Sequence, residues 1–295
     1  TFAAMRKPVV IAPAMNDKMY ESPATQEAIR ILSTWSNITM LECADGALAC
    51  GTSGKGRMQE IDVIKAAIEY AITPKTLTDK HILITAGPTH EAIDPVRYIS
   101  NASTGKMGYA LVKSCLNRGA KVTLVTGPTH ISVEGWKAFS PLTIRPVVSS
   151  SEMCEATVAE ADSADICILC AAVADFTPST TANQKIKKEA GQTSLTLELQ
   201  TTTDIAAALG KKKRKNQTLV GFALETHNEL ANAERKMQAK NLDMIVLNSL
   251  QDQGAGFGVD TNKVTLLYPD GTQKKLPLKS KEEVADAIID AINPF

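Results

Sequence analysis

"HILITAGPTHEAIDPVRYISNASTGKMGYALVKSCLNRG", residues 81–119, decides how the chain is read. Its opening, His81–Gly87, is apolar and β-branched and ends on glycine, the pattern of a buried parallel strand. Its end, Thr104–Gly119, sets Met107, Leu111 and Cys115 on one helical face, and Gly119 stops the helix. Between them stand Arg97, Asn101, Ser103, Gly105 and Lys106. In open α/β sheets, ligands collect at the carboxyl ends of strands. A helix start adds unpaired N–H groups and a positive dipole end, which suit an anion. Ser103 and Thr104 serve equally well as plain N-caps. The Gly-Lys pair resembles a phosphate loop, yet Met107 stands where such a loop needs Ser or Thr for magnesium.

Outward from this stretch, "KVTLVTG", "DICILCAAVAD", "TLVGFALE" and "LDMIVLN" read as further strands alternating with amphipathic helices. Ser149 with Glu152 predicts a capping box, and Ser280 with Glu283 opens a final helix. "KVTLLYPDGTQKKLPL" predicts a hairpin turning at Asp270-Gly271. Toward the start, "PVVIAPAM" is a strand, and Ser22-Pro23 caps a helix. A Gly-rich loop, "CADGALACGTSGKGR", leads to a helix near Ile61–Tyr70. The fold class is α/β: a doubly wound parallel sheet, Rossmann-like and three-layered, over residues 81–295, with a C-terminal hairpin. Polar residues 76–80 read as a linker, and residues 1–75 as a partial flavodoxin-like unit. That unit has too few strands to stand alone. With Thr1 at its start, the reading expects a chain truncated at its N-terminus.

Among 295 residues, Lys+Arg and Asp+Glu each total 32, so bulk charge favours neither nucleic acid nor a membrane surface as partner. No apolar run reaches the ~20 residues of a membrane span. "KKKRK", Lys211–Lys215, reads as a solvated run at a helix C-terminus. Six cysteines are too sparse for a disulfide scaffold, and a reducing cytoplasm fits. Cys167 and Cys170 are three apart on a strand and so face opposite ways; the reading is core packing, and no metal-ligating set is expected.

"GPTHEAIDPVRYISNASTGKMG", "CAAVADF", "KIKKE", "VGFALET" and "KNLDMIVLN" together resemble the phosphopantothenate–cysteine ligase family. "PAMNDKMY" and "ACGTSGKGRM" resemble phosphopantothenoylcysteine decarboxylase, and the order of the two is that of the bifunctional coenzyme A biosynthesis family. The resemblance implies CTP-dependent joining of 4'-phosphopantothenate to L-cysteine through an acyl-cytidylate, with Mg2+ held mostly by substrate phosphates. It implies that Lys185 acts in forming the acyl-cytidylate, and that Asn101 and Arg97 act in converting it, Asn101 donating to an acyl or phosphate oxygen. Gly105 and Lys106 fall with Asn101 on the acyl side. Nucleotide contacts carry over to Leu169, Cys170, Ala171, Asp175, the run Thr203, Asp204, Ile205 and Ala206, and to Phe222, Lys236 and Lys240. In the first unit, Asn16 matches a substrate-binding asparagine and Cys50 the decarboxylase proton donor, with FMN as cofactor. The family's catalytic histidine has no match there, so loss of decarboxylation is expected. A homodimer through the ligase part is implied as well.

Two other classes stay open on the residues alone. A flavin- or dinucleotide-binding oxidoreductase fits the βα rhythm but lacks G-x-G-x-x-G and an acid after the second strand. A regulatory nucleotide-binding module would use the same lysines without turnover.

Overall fold

The computed structural model describes residues 5–48, 51, 53–137, 141–225, 228–249, 256 and 258–292. Two compact units emerge. The first comprises Thr1–Thr78, Leu116–Ala120 and Ser132–Leu142; the second comprises Asp79–Cys115, Lys121–Ile131 and Thr143–Phe295.

The second unit is built on an eight-stranded sheet. Its order is Gln273–Lys275, Val264–Leu267, Met244–Ser249, Thr218–Glu225, Ile166–Leu169, His81–Ala86, Lys121–Thr126 and Leu142–Pro146. The four pairings from Met244–Ser249 across to Lys121–Thr126 are parallel, and the expected hairpin adds two antiparallel strands at one edge. Asp270-Gly271 makes the turn, with Gly271 at φ 83°, a conformation that only glycine adopts freely.

Alternation assigns the two faces. Leu83, Val125, Cys167, Leu219 and Ile245 share one cluster with residues of helices Ser150–Ala161, Ile205–Lys212 and Glu229–Ala239. On the other face, helix Lys106–Asn117 sits so close to the first strand that a Cβ on Gly108 would fall 2.5 Å from the Cβ of Ala86. The final helix, Lys281–Ile292, is tied to Lys106–Asn117 by Lys113–Glu282 (2.8 Å) and Ser114–Asp286 (2.7 Å). Each fully buried Leu or Ile in these layers is worth about 1.5–3 kcal/mol.

Both capping boxes form. Ser149 and Glu152 cap reciprocally, and so do Ser280 and Glu283. The basic run ends helix Ile205–Lys212 and is largely exposed, as read, but two of its cations are engaged. Lys213 Nζ donates to Asn241 O and Asp243 Oδ1, and Arg214 donates to Ala164 O, because carbonyls near those cations need donors. Only its flanking lysines are simply solvated.

In the first unit, Val9–Ile11 pairs in parallel with Ile38–Met40, and Ala44–Ala47 forms a hairpin with Ser53–Arg57. Ser22 caps helix Pro23–Ser33 as expected. The division between the units, Thr78/Asp79, falls inside the stretch read as a linker, and within the first unit Leu77 is buried with its N–H donating to Arg118 O at 2.9 Å.

Candidate functional site

The strand order reverses between His81–Ala86 and Ile166–Leu169, which are direct neighbours. From the first strand the sheet continues one way through 121–126, and from the other it continues the opposite way through 218–225. Their carboxyl ends therefore diverge at a crevice, the place where open α/β sheets take ligands. Buried hydroxyls shape this edge. Thr85 Oγ1 accepts from Ala171 N at 3.2 Å, and Thr89 Oγ1 accepts from Ala174 N at 3.0 Å. Ala172 N donates to Gly87 O at 2.9 Å.

Two cavities share this crevice. One, of about 410 Å³, is lined by Leu169, the Thr201–Ala206 run, Phe222 and Lys240 among others. The second, of about 330 Å³, is lined by Asn101, Gly105, Lys106, Cys170, Asn262 and Lys281 among others. Ala171, Val173, Asp175, Phe222 and Lys236 belong to both walls.

Asn101 reaches across the crevice. Its Nδ2 donates to Ala172 O at 3.1 Å and to Val173 O at 3.0 Å. Two carbonyls accept and cannot donate, so they fix the amide orientation. Both N–H bonds are thus committed, and Asn101 offers a ligand its Oδ1 acceptor. The expected donation to an acyl or phosphate oxygen is not what this geometry provides. Gly105, at φ 79°, and Gly108 serve close packing: added Cβ atoms would meet Thr129 Cγ2 and Ala86 Cβ. Met107 is core, which explains the absent hydroxyl in the opening stretch.

Lysines supply the charge, and three of them hold carboxylates. Lys236 pairs with Glu225 at 2.7 Å, Lys240 with Asp204 at 2.8 Å, and Lys106 with Asp260 at 2.7 Å. Asp204 also caps helix Ile205–Lys212 by accepting from Ala207 N at 3.0 Å. Burial pushes the Asp204 carboxyl up; Lys240 and the helix-start N–H groups outweigh this and hold it below its ordinary value. Cys170 is inert as a thiolate, since burial pushes its thiol up to about 12.

Two expected residues stand apart. Arg97 lines neither cavity. Its guanidinium pairs with the buried Asp94 carboxylate and donates to Ile186 O at 2.8 Å, beside a third recess of about 280 Å³. That pairing holds the Asp94 carboxyl well below the usual range, helped by N–H groups of Val96, Ile186 and Arg97 against the pull of burial. Lys185 is exposed and lines neither cavity. Asp94 was not singled out in the sequence, where "IDPVRY" looks like an ordinary turn. Lys281 and Asn262 were also missed.

No cluster of three or more metal-ligating side chains occurs among the described residues. Magnesium would rest on substrate phosphates, with Asp175 the carboxylate common to both cavities. In the first unit, Asn16 Oδ1 caps helix Asp17–Glu21 by accepting from Lys18 N at 2.9 Å, and Met15 N donates to Gly56 O. Cys50 lies outside the described residues. For a flavin, the residues present fit at one point: Asp17 Oδ1 is buried without a hydrogen-bond partner and suits an N–H donor such as the flavin imide.

Comparison with known proteins assigns both units. Residues 77–295 match the DNA/pantothenate metabolism flavoprotein C-terminal domain, and residues 1–73 match the flavoprotein family. The second match supports FMN for that part and lends no support to a reading of N-terminal truncation. The coenzyme A biosynthesis bifunctional protein CoaBC of Bacillus subtilis (strain 168) is 46% identical over 99% of this chain and 71% of its own length. A cysteine/cysteine sulfinic acid decarboxylase from an unknown prokaryotic organism is 47% identical over 99% of this chain and 81% of its own. The crystal structure of the C-terminal domain of a CoaBC protein superposes with a TM-score of 0.60 at 38% identity, covering 74% of this chain and 96% of that one. This chain belongs to the family of bifunctional coenzyme A biosynthesis proteins, a flavoprotein domain followed by a ligase domain.

Proposed function

We propose that the second unit joins 4'-phosphopantothenate to L-cysteine at the expense of CTP, through an acyl-cytidylate. One observation carries this reading: two cavities meet along a shared wall of Ala171, Val173, Asp175, Phe222 and Lys236. A mixed anhydride needs that arrangement, with its nucleotide on one side and its acyl group on the other.

Amide formation from a carboxylate in water is uphill, so the carboxylate is first activated. Its oxygen attacks the α-phosphorus and pyrophosphate leaves. Lys236 in the last turn of helix Glu229–Ala239 and Lys240, the residue that caps its C-terminus, neutralise the triphosphate by exchanging their carboxylate partners for phosphate oxygens. The acyl group then lies toward Asn101, Gly105 and Lys106, whose Oδ1 acceptor suits the incoming cysteine amine. Bound magnesium would offset phosphate charge from the nucleotide side. Arg97 and Lys185 keep the roles implied by resemblance. Geometry supports them less directly, through the Asp94–Arg97–Ile186 tie that docks the Lys185 segment beside Arg97.

The ligase part forms a homodimer, a reading supported by exposed Val96, Tyr98, Phe176 and Leu199 on or beside its two small antiparallel strand pairs. Among the described residues no helix is long and apolar enough to cross a membrane, and a cytoplasmic enzyme fits. The expectation that residues 1–80 by themselves do not decarboxylate rests on their holding no histidine. Carbon dioxide release with added FMN tests that statement, and turnover refutes it. The ligase reading is tested by continuous pyrophosphate turnover, beyond a single burst, that depends on both phosphopantothenate and cysteine, measured with CTP and ATP in parallel. Release without phosphopantothenate, or none at all, refutes it.

A further inference from the structure

Lys281 breaks two local rules. It is the first residue of helix Lys281–Ile292, where the helix dipole disfavours a cation. It is also only 7% exposed, a rare state for lysine. Such violations concentrate at functional sites. Lys281 lines the smaller cavity with Asn101 and Lys106.

Its bonding defines what the amine can do. Nζ donates to Gly256 O at 3.1 Å and to Val259 O, and the backbone N–H of Lys281 donates to Asp260 O at 2.9 Å. A neutral amine has two N–H bonds and one lone pair. Two carbonyls take the two N–H bonds, and the remaining position carries either the lone pair or the third proton. The charged groups around it are few. Lys106 opposes its charge and Asp260, already bound by Lys106, favours it; the Cys170 thiol beside it is kept neutral by burial. On its own helix, Glu282 is held by Lys113 and Glu283 by Ser280. Burial, followed by Lys106, lowers the Lys281 ammonium below its ordinary lysine value.

We infer that Lys281 is the proton acceptor for the cysteine amine in the second half-reaction, an inference that rests on the ligase reading. The cysteine ammonium gives one proton to Nζ. Its freed lone pair forms the C–N bond to the acyl carbon. The bond from that carbon to the phosphate oxygen breaks, and its electron pair leaves with cytidine monophosphate. The second nitrogen proton goes to that phosphate oxygen, and Lys281 returns its own proton to water. Nothing is oxidised or reduced.

The test uses the full chain and separates the two half-reactions. Acyl-nucleotide formation is read as a pyrophosphate burst without cysteine; transfer is read by adding cysteine or hydroxylamine, whose nitrogen is already neutral at pH 7. Lys281→Arg keeps a long cationic side chain that is always protonated and cannot accept a proton. It is expected to slow cysteine transfer about 100-fold or more relative to the burst, as loss of a general base does. Hydroxylamine transfer is expected to stay within a few-fold of wild type. Lys281→Met is expected to show the same split, and wild-type cysteine transfer to rise with pH through one ionisation that both variants lack. Equal losses with both nucleophiles, or cysteine transfer by Lys281→Arg at the wild-type rate, overturn the inference. A wild-type chain that gives no burst refutes the ligase reading itself, and this inference with it.

Discussion

Asp204 carries two loads that a pair of substitutions separates. It caps helix Ile205–Lys212 through Ala207 N and holds Lys240 at 2.8 Å on the wall of the larger cavity. Asn caps a helix about as well as Asp, so Asp204→Asn keeps the cap and loses only a partly exposed ion pair, about 0–1 kcal/mol. Asp204→Ala removes the cap as well, a further loss of about 0.5–2 kcal/mol. Binding moves in the opposite direction. If Lys240 meets triphosphate, the carboxylate beside it competes with the ligand. Removing one charge a few ångströms away in a solvated cavity is worth about 1 kcal/mol, a roughly fivefold lower KM for CTP. Urea melts at pH 7 and nucleotide titrations of pyrophosphate release measure the two effects. The carboxyl sits below its ordinary value in the fold, so its stabilisation is full above about pH 4, the unfolded carboxyl value, and fades as pH falls through the folded one. Asp204→Asn flattens that acid limb. A raised KM in Asp204→Asn refutes the competitor role and makes the carboxylate a ligand for ribose or magnesium. Equal melts for Asn and Ala refute the cap.

Gly108→Ala drives a Cβ to 2.5 Å from Ala86 Cβ, and the helix must shift off the strand that carries the crevice; thermal melts should lose about 1–3 kcal/mol, and an unchanged midpoint contradicts the contact. Asn101→Asp sets a carboxylate oxygen against the carbonyls of Ala172 and Val173, losing two hydrogen bonds of about 1 kcal/mol each. It should still release pyrophosphate but stall before cysteine transfer, so acyl-nucleotide accumulates on quenching; wild-type product yield refutes the assignment. Lys185→Gln should form no acyl-nucleotide if this exposed lysine acts in activation, and a normal burst removes it from the mechanism.

The legible parts of this fold are those whose causes are local. Alternation and apolar runs marked the parallel strands; Ser149 with Glu152 marked a helix start, and Asp270-Gly271 a hairpin, because each pattern closes within a few residues. Lys236 and Lys240 were placed on one face by spacing alone, but spacing could not reveal that Glu225 and Asp204 already occupy them. The same limit hid Asp94. Its partner Ile186 lies 92 residues further on, and nothing in "AIDPVRY" announces a fully buried carboxylate. Lys281 was masked by its own neighbourhood, since Ser280 and Glu283 cap the helix and make the next charged residue look like surface. What the sequence did offer at these positions was disagreement. Met107 replaced the hydroxyl of a phosphate loop, and the structure turns it into core; Lys281 opposed a helix dipole, and the structure turns it into a cavity wall. One broken rule was resolved by packing and the other by burial of charge. Only the second leaves a desolvation cost that packing does not offset, so Lys281 is where chemistry should be sought.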